Sequence, residues 1–232
     1  MDRLRAEARA EGAWAVLRRA GRRAFARLVY QRLDEVLIVC DLTGPFDAGA
    51  RADLALREIE ASQAAALEEF GRAHTSDTDV RKLRAYLRCG YHGDAALEQG
   101  RMIGYVWWMD ARVPPELRHP ALLRLGFELG DDDVYSWDLF LSPACRGGGR
   151  ARAFYGRHLE SLRQRGFRRA LGWVEAGNTP ARVLYQKLGY RDVAQRTSQL
   201  FFSTFLVTGR RVFVRNGPRH ATPFDYRPLL PR

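Results

Sequence analysis

Three consecutive glycines constrain the fold of this chain more than any other feature of its sequence. They lie in Arg146-Gly-Gly-Gly-Arg-Ala151, after the β-prone run Tyr135-Ser-Trp-Asp-Leu-Phe-Leu141. An amphipathic helical pattern begins directly behind them, with its inward stripe at positions 151, 154, 155, 158, 159 and 162. Because the first N–H groups of a helix have no intrahelical partner, a strand, a glycine turn and a helix in this order indicate an anion site.

The glycine turn does not match two common phosphate-binding motifs. The chain contains no Gly-x4-Gly-Lys-Ser/Thr and therefore no P-loop. It also lacks Gly-x-Gly-x-x-Gly followed by an acidic residue about 20 positions later, so a dinucleotide site of the Rossmann type is not supported. An ordinary glycine turn remains the alternative interpretation of the segment taken alone.

A second segment, from Val174 to Tyr190, carries the signals of a strand end, a turn and a capped helix. Thr179 is the predicted N-cap, Pro180 fits the first helical position and Gly189 fits the stop. Tyr185 lies beside the apolar stripe of this helix, where its hydroxyl can enter a cleft. The stripe itself consists of Ala181, Leu184 and Leu188.

Together the two segments resemble the signatures of the GNAT acetyltransferase superfamily. The acyl-CoA signature of that family is Arg/Gln-x-x-Gly-x-Gly/Ala at a strand-to-helix junction, and Arg146, Gly149 and Ala151 match it. The later signature is an Asn-containing turn and Ala-x-x-Leu-Tyr-x-x-x-Gly-Phe/Tyr, matched by Asn178, Ala181, Leu184, Tyr185, Gly189 and Tyr190. The run 138–143 looks like the fourth core strand of the family. The resemblance extends more weakly over residues 53–215.

The resemblance implies the GNAT fold, an α/β (α+β) architecture with a central, mixed but mostly antiparallel twisted sheet flanked by helices. The domain is expected over residues 34–215, after a basic amphipathic helix at 1–33 and before a Pro-rich tail at 216–232. Strands are predicted at 35–42, 53–59, 95–98, 102–108, 134–142, 168–175 and within 192–215. Helices are predicted at about 62–73, 79–87, 148–164 and 179–188.

The resemblance also implies acetyl-CoA as the co-substrate, lying in a gap between the strands at 134–142 and 168–175. Main-chain groups of Leu139, Phe140 and Leu141 would pair with the pantetheine arm. The remaining residues implied to bind the cofactor are Arg146, Gly147, Gly148, Gly149, Arg150, Ala151, Arg152 and Asn178. An acceptor amine would attack the thioester directly, and a backbone N–H of the first of these strands would meet the oxyanion.

Three side chains are implied to take part in catalysis. Tyr185 would protonate the departing thiolate, and the alternative is that it only fills the core. Asp138 is the first candidate for the general base, although it could instead make a structural bond at a strand bulge. Glu175 is the second candidate and would act through water. The acidic run 131–133 is either a solvated loop, which we favour, or a patch that attracts a cationic amine.

Several other side chains are candidates for which a structural role is favoured. Cys145 adjoins the glycine turn, but no histidine lies near it in sequence and the family transfers acyl groups directly. His158 lies on the apolar face of its helix and is expected to be packed there. Trp107 and Trp108 point to opposite faces of a strand, so at most one of them can line the acceptor cleft.

The charge of the chain is concentrated at its N-terminus. The net charge is +11, and only Lys82 and Lys187 are lysines. The segment 1–33 is amphipathic, and docking on its own domain or across a homodimer is favoured over contact with a membrane surface. Nucleic acid is not an expected partner. The three scattered cysteines suggest no metal site and fit a cytoplasmic protein, peripheral to the membrane if the helix binds lipid.

The leading functional hypothesis is an acyl-CoA-dependent N-acetyltransferase that acts through a ternary complex on an amine-bearing small molecule or polymer. Two alternatives stay open at this point. One is a transferase of the same fold that uses aminoacyl-tRNA as its donor. The other is a catalytically degenerate GNAT domain that serves as a binding module.

Overall fold

The computed structural model describes most of the central part of the chain. Contacts between residues divide the chain into a larger unit, 36–195 with 223–232, and a smaller unit, 1–35 with 196–222. Most of the predicted N-terminal helix and of the Pro-rich tail lies outside the described residues. The described residues are 21, 30–44, 53–74, 77–125, 128–201 and 214–216.

Strands and helices alternate along the larger unit, close to the predicted positions. The strands are β1 (Tyr30–Asp41), β2 (Leu54–Glu58), β3 (His92–Glu98), β4 (Arg101–Asp110), β5 (Asp133–Leu141), β6 (Arg169–Glu175) and β7 (Tyr190–Phe201). The helices are α1 (Ala64–His74), α2 (Asp77–Arg88), α3 (Pro120–Leu125), α4 (Arg150–Gln164) and α5 (Thr179–Lys187). Short 3-10 turns occupy Ala61–Gln63, Pro115–Leu117 and Pro143–Cys145.

The sheet of the larger unit is mixed and mostly antiparallel, as predicted. Its strand order is β2-β3-β4-β5-β6-β1-β7. Strands β2 to β5 pair antiparallel in sequence, whereas β5 and β6 pair parallel. The sequence predicts β1 but not its place between β6 and β7. In the smaller unit, β8 (Val214–Asn216) pairs antiparallel with β7.

The two faces of the sheet bury separate apolar clusters. One cluster packs against α4 and α5 and includes Trp108, Phe154 and Leu159. The other packs against α1, α2 and α3 and includes Trp107. Trp107 and Trp108 therefore point to opposite faces, as predicted. Since both are at most 1% exposed, they belong to the core and neither lines a cleft.

A β-bulge interrupts β5 near its carboxyl end. Trp137 pairs with Trp107 and Phe140 pairs with Tyr105, so two residues of β5 oppose a single residue of β4. Asp138, one of these two, has a φ of 54°, which non-glycine residues rarely adopt. The bulge leaves its residues outside the regular ladder and redirects the strand next to the glycine turn.

Candidate functional site

The strands β5 and β6 separate after three residues of parallel pairing. The register joins Asp133, Val134 and Tyr135 to the start of β6, and it ends at the pair of Tyr135 and Leu171. The remaining residues of β5 and β6 do not pair with each other. The carboxyl ends of the two strands therefore border an opening, and in open α/β sheets such an opening is where ligands bind.

The glycine turn lies at the mouth of this opening, between β5 and α4. Gly147, Gly148 and Gly149 all have positive φ, at 92°, 56° and 76°. A Cβ added at Gly147 or Gly149 would meet nothing within 4 Å. Among the described residues, the amides of Gly147, Gly149 and Ala151 have no hydrogen-bond acceptor. The turn is therefore a backbone surface with unused N–H donors at a helix N-terminus, which suits an anion.

Two arginines beside the turn are held in place by other groups. Arg146 donates from Nε to the carbonyl of Leu141 at 3.2 Å, and its guanidinium lies 6.0 Å from the centre of the Phe140 ring. Arg150 donates from Nε to Glu98, the last residue of β3, at 2.8 Å. These contacts fix both side chains next to the free amides, although Glu98 offsets part of the positive charge.

The second helix beside the opening, α5, begins at Thr179 as predicted, but its N-cap lies one residue earlier than predicted. Asn178 is the N-cap, and its Oδ1 accepts a hydrogen bond from the Ala181 amide at 3.2 Å. Thr179 is already helical, so the prediction of Thr179 as N-cap is wrong: the amide side chain reaches the orphan N–H group first. Gly189 has a φ of 86° directly after the last turn, as its predicted role as a stop requires.

Tyr185 belongs to a cluster of three tyrosines contributed by α4, α5 and the start of β7. Its ring meets Tyr155 and Tyr190 edge to face, with centroids 5.4 and 5.2 Å apart. The hydroxyls of Tyr155 and Tyr190 are 3.0 Å apart and bond to each other. Among the described residues, the Tyr185 hydroxyl has no such partner. Burial raises the pKa of Tyr185 to about 12, so this phenol keeps its proton at neutral pH.

The two candidate bases have different surroundings. Asp138 lies in the bulge with its side chain 24% exposed, and its carboxylate is 2.9 Å from Nζ of Lys82 on α2. Glu175 lies at the exposed end of β6, and its carbonyl accepts from the Asn178 amide at 2.9 Å. Lys82 was not predicted to lie at the site, because it precedes Asp138 by 56 positions in the sequence.

The acidic run 131–133 lies at the opposite end of β5, about 26 Å along the strand from the glycine turn. Asp133 is buried and pairs with Arg169 at 2.5 Å. The run therefore does not border the opening, and its interpretation as an amine-attracting patch stays a prediction. A cavity of about 470 Å³ at this end is lined by Ala111, Arg112, Asp131, Asp132, Arg165, Gly166 and Phe167.

A series of buried polar side chains on the same sheet face as Tyr185 was not predicted from the sequence. His158 of α4 contacts Asp94 of β3 through Nδ1 at 2.7 Å and Ser136 of β5 through Nε2 at 3.1 Å. The Ser136 hydroxyl in turn lies within hydrogen-bonding reach of the Tyr155 phenol. All four side chains are at most 4% exposed. His158 is packed, as predicted. The sequence signal that could have indicated its partners is Asp94, an acidic residue next to the apolar run 95–97.

The described part of the chain contains no group of three or more side chains that could together bind a metal ion. None of its helices is both long and apolar enough to cross a membrane. Cys145 is a free, partly buried thiol in the 3-10 turn before the glycines.

Comparison of the sequence with known families gives a match to the acetyltransferase (GNAT) family over residues 56–190. The chain belongs to this family. A curated relative, a mycothiol acetyltransferase of Saccharomonospora viridis, is 34% identical over 125 residues. The aligned segment covers 51% of this chain but only 37% of that relative.

Solved structures show the same fold at low sequence identity. A GCN5-related glucosamine N-acetyltransferase region of a fungal multi-domain GH3 β-N-acetylglucosaminidase has a TM-score of 0.57 at 15% identity, covering 79% of this chain and 22% of that one. A GCN5-related N-acetyltransferase of Sphaerobacter thermophilus has a TM-score of 0.52 at 17% identity, covering 83% and 57%. These likenesses confirm the predicted fold class.

Proposed function

We propose that the protein is an acyl-CoA-dependent N-acetyltransferase that binds acetyl-CoA in the opening between β5 and β6. One observation carries this proposal. The strands β5 and β6 stop pairing before their carboxyl ends, and those ends lead into the glycine turn with its unused amides and into the N-termini of α4 and α5. Family membership supplies the class of reaction. The parted strands and the free amides support this position for a thioester that carries a pyrophosphate.

The pyrophosphate is proposed to lie on the glycine turn. The amides of Gly147, Gly149 and Ala151 are free to donate to it, and Arg146 and Arg150 stand beside them. A helix dipole alone contributes only about 0.3–1 kcal/mol, so the converging N–H donors and the guanidinium groups must provide most of the affinity. Asn178 has committed its side-chain oxygen to the α5 cap, which leaves its NH2 group for the cofactor.

Acyl transfer is proposed to occur directly between the two substrates. The acceptor nitrogen forms a bond to the thioester carbon, and collapse of the tetrahedral intermediate breaks the carbon–sulfur bond. The proton lost by the amine passes to a base, and the departing thiolate takes a proton from the Tyr185 phenol. A backbone N–H released by the bulge at Asp138 and Leu139 is proposed to stabilise the oxyanion.

Asp138 remains the first candidate for the base, because it stands in the bulge beside the proposed reaction centre. Its contact with Lys82 orients the carboxylate and leaves one oxygen available. Glu175 is the second candidate, acting through water from the end of β6. Asp138→Asn and Glu175→Gln separate them: the base variant loses kcat for a protonated amine, whereas the other retains it.

The acceptor is proposed to be an amine on a small molecule or polymer. The relative named for mycothiol makes acceptors of that type the first to test. Two other hypotheses are an aminoacyl-tRNA donor and a binding module without activity. The ligand that binds tests the first, and the presence or absence of acyl transfer tests the second. The charge pattern of the glycine turn favours a CoA donor over tRNA, because it presents a compact anion site rather than an extended basic surface.

The test is a thermal shift with acetyl-CoA, CoA and tRNA, followed by a screen of amines for release of free thiol. A saturable shift with acetyl-CoA is expected, because a ligand that binds the native state stabilises it. Amine-dependent release of CoA supports the enzyme. A shift with acetyl-CoA but no turnover across the amine panel favours the binding module, and a shift with tRNA alone favours the other donor.

A further inference from the structure

Five buried side chains form a continuous hydrogen-bonded chain beneath the proposed reaction centre. The chain runs from a carboxylate of β3 to a phenol at the start of β7, in the order Asp94, His158, Ser136, Tyr155 and Tyr190. Because β4 separates β3 from β5, the His158 imidazole spans two strand spacings, about 9.6 Å. Only a side chain from the covering helix α4 can bridge them.

The carboxylate end of the chain fixes the orientation of the imidazole. The carboxylate of Asp94 only accepts, so Nδ1 of His158 donates to it. Nε2 of His158 then shares a hydrogen bond with the Ser136 hydroxyl. Ser136 lies within hydrogen-bonding reach of the Tyr155 phenol, and the hydroxyls of Tyr155 and Tyr190 bond to each other. Removing one member therefore leaves its neighbours without their partners.

The Asp94, His158 and Ser136 order matches that of a nucleophilic triad, but its surroundings do not. Ser136 is 4% exposed, and its oxygen is engaged by both His158 and Tyr155. A nucleophilic serine needs an acyl group within reach and a neighbouring oxyanion site, and a fully buried hydroxyl offers neither. The chain leads towards the tyrosine cluster instead, where Tyr155 and Tyr190 flank Tyr185.

We infer that this chain, with His158 as its central positioning residue, locks the rings of Tyr155 and Tyr190 and thereby fixes Tyr185 for transfer of its proton. Neither flanking side chain can swing about χ1 without breaking the 3.0 Å bond between their hydroxyls, and Ser136 and the His158 ring hold the Tyr155 side chain against the sheet. Tyr185 has no hydrogen bond of its own among the described residues, so ring packing must orient it. The inference rests on the proposed role of Tyr185.

Burial holds the pKa of Tyr155 and of Tyr190 well above the ordinary value of 10. Both phenols therefore keep their protons over the range in which an amine substrate reacts, and the bond between their hydroxyls persists over that range. The members of the chain do not touch the reactants. Their effect is expected on kcat, with the KM for acetyl-CoA left as it is.

The experiment is a double-mutant cycle between Tyr155→Phe and Tyr185→Phe. Tyr155→Phe keeps the ring but removes the hydroxyl that joins Ser136 to Tyr190. We expect kcat to fall about tenfold in the parent and less than twofold in the Tyr185→Phe background, since the chain acts through Tyr185. An equal fall in both backgrounds, or no fall in the parent, overturns the inference. Ser136→Ala breaks the same link and replaces Tyr155→Phe if that variant does not fold.

Tyr91→Phe is the matched control, because it removes a buried hydroxyl from the other face of the sheet. The Tyr91 hydroxyl donates to the Leu117 carbonyl at 2.5 Å, far from the tyrosine cluster in the fold. It should lower stability without coupling to Tyr185. If Tyr91→Phe couples to Tyr185 as strongly as Tyr155→Phe does, the effect is general loosening and the inference is overturned.

A second measurement does not depend on activity and separates this inference from the proposed function. NMR of 13C-tyrosine-labelled protein reports the flip rate of the Tyr185 ring. We expect at least a tenfold faster flip in Tyr155→Phe and in His158→Gln, and an unchanged rate overturns the inference. A parent protein that never releases thiol refutes the proposed function instead, while the ring measurement still decides the role of the chain.

Discussion

The two ends of the β5–β6 pair are built in opposite ways. At the amino end, Asp133 is fully buried, accepts from the Gly130 amide at 2.8 Å and pairs with Arg169. The Arg168 amide also donates there to the Asp132 carbonyl at 2.9 Å. At the carboxyl end, pairing stops, a bulge interrupts β5, and the glycine turn leaves amides without acceptors.

The difference shows how one pair of strands separates stability from function. At the amino end, here called the closed end, polar groups with satisfied hydrogen bonds hold the two strands together. The strands can therefore diverge at the carboxyl end, here called the open end. The unused donors at the open end cost stability in the free protein and are available for an anion. Variants at the closed end should therefore change the free energy of unfolding, whereas variants at the open end should change binding and turnover.

The largest effect is expected at the closed end. Asp133→Ala leaves the Arg169 guanidinium and the Gly130 amide without their acceptor, and breaking a buried pair typically costs about 3–5 kcal/mol. Urea unfolding monitored by tryptophan fluorescence measures the loss. Acetyl-CoA affinity of the folded fraction should stay within about twofold of the parent. A large loss of affinity at unchanged stability would contradict the division between the two ends.

Gly149→Glu is expected to weaken acetyl-CoA binding by a few hundredfold, about 3–4 kcal/mol, because it puts a like charge on the proposed pyrophosphate position. The matched control is Gly90→Glu, in the exposed turn before β3. Gly90 and Gly149 have nearly equal φ, 75° and 76°, and neither Cβ would meet another atom within 4 Å. Both variants carry the same backbone strain, about 1–2 kcal/mol.

Calorimetric titration with acetyl-CoA measures both glycine variants. Gly90→Glu should bind like the parent despite its lower stability. If the two variants lose affinity equally, the cause is strain or net charge, and the glycine turn is not the anion site.

Tyr185→Phe should lower kcat by about 100-fold, the size expected for the loss of a general acid. The ring and its contacts with Tyr155 and Tyr190 remain, so stability and acetyl-CoA affinity should change little. Pre-steady-state release of thiol establishes that chemistry limits the rate. A Phe variant that turns over like the parent under those conditions would show that Tyr185 only packs.

Glu98→Gln is expected to give the smallest effect, a two- to fivefold gain in acetyl-CoA affinity. The change removes a negative charge that offsets Arg150 beside the glycine turn, and partly exposed ion pairs contribute only about 0.2–1 kcal/mol. Titrations at low and high salt should show the gain shrinking as salt rises. A loss of affinity would mean that Glu98 is needed to orient Arg150.

Local patterns in the sequence predicted most elements to within a few residues. The helix at about 148–164 is found at Arg150–Gln164, and the strand at 134–142 is found at Asp133–Leu141. Helical periodicity, the alternation of apolar and polar residues in strands, and glycine stops each depend on neighbouring positions, so they can be recognised in a single sequence. The N-cap of α5 was misplaced by one residue because Asn178 and Thr179 are both good caps.

The candidate site was predictable only where its residues follow one another. The glycine turn and Tyr185 were named from contiguous motifs, and their roles stay predictions. The contact of Lys82 with Asp138 was not predicted, because neither segment carries a sequence pattern that indicates contact with the other. The domain boundaries at 34 and 215 also stay predictions.

The sequence by itself determined the secondary structure, the family and the glycine turn, because each depends on residues within one segment or motif. The tertiary structure alone decided that β1 lies between β6 and β7, since backbone hydrogen bonds carry no information about which strand supplies them. It alone brought Asp94 within 2.7 Å of His158, 64 positions away. Such contacts depend on how sheet and helix pack, and no local pattern encodes them.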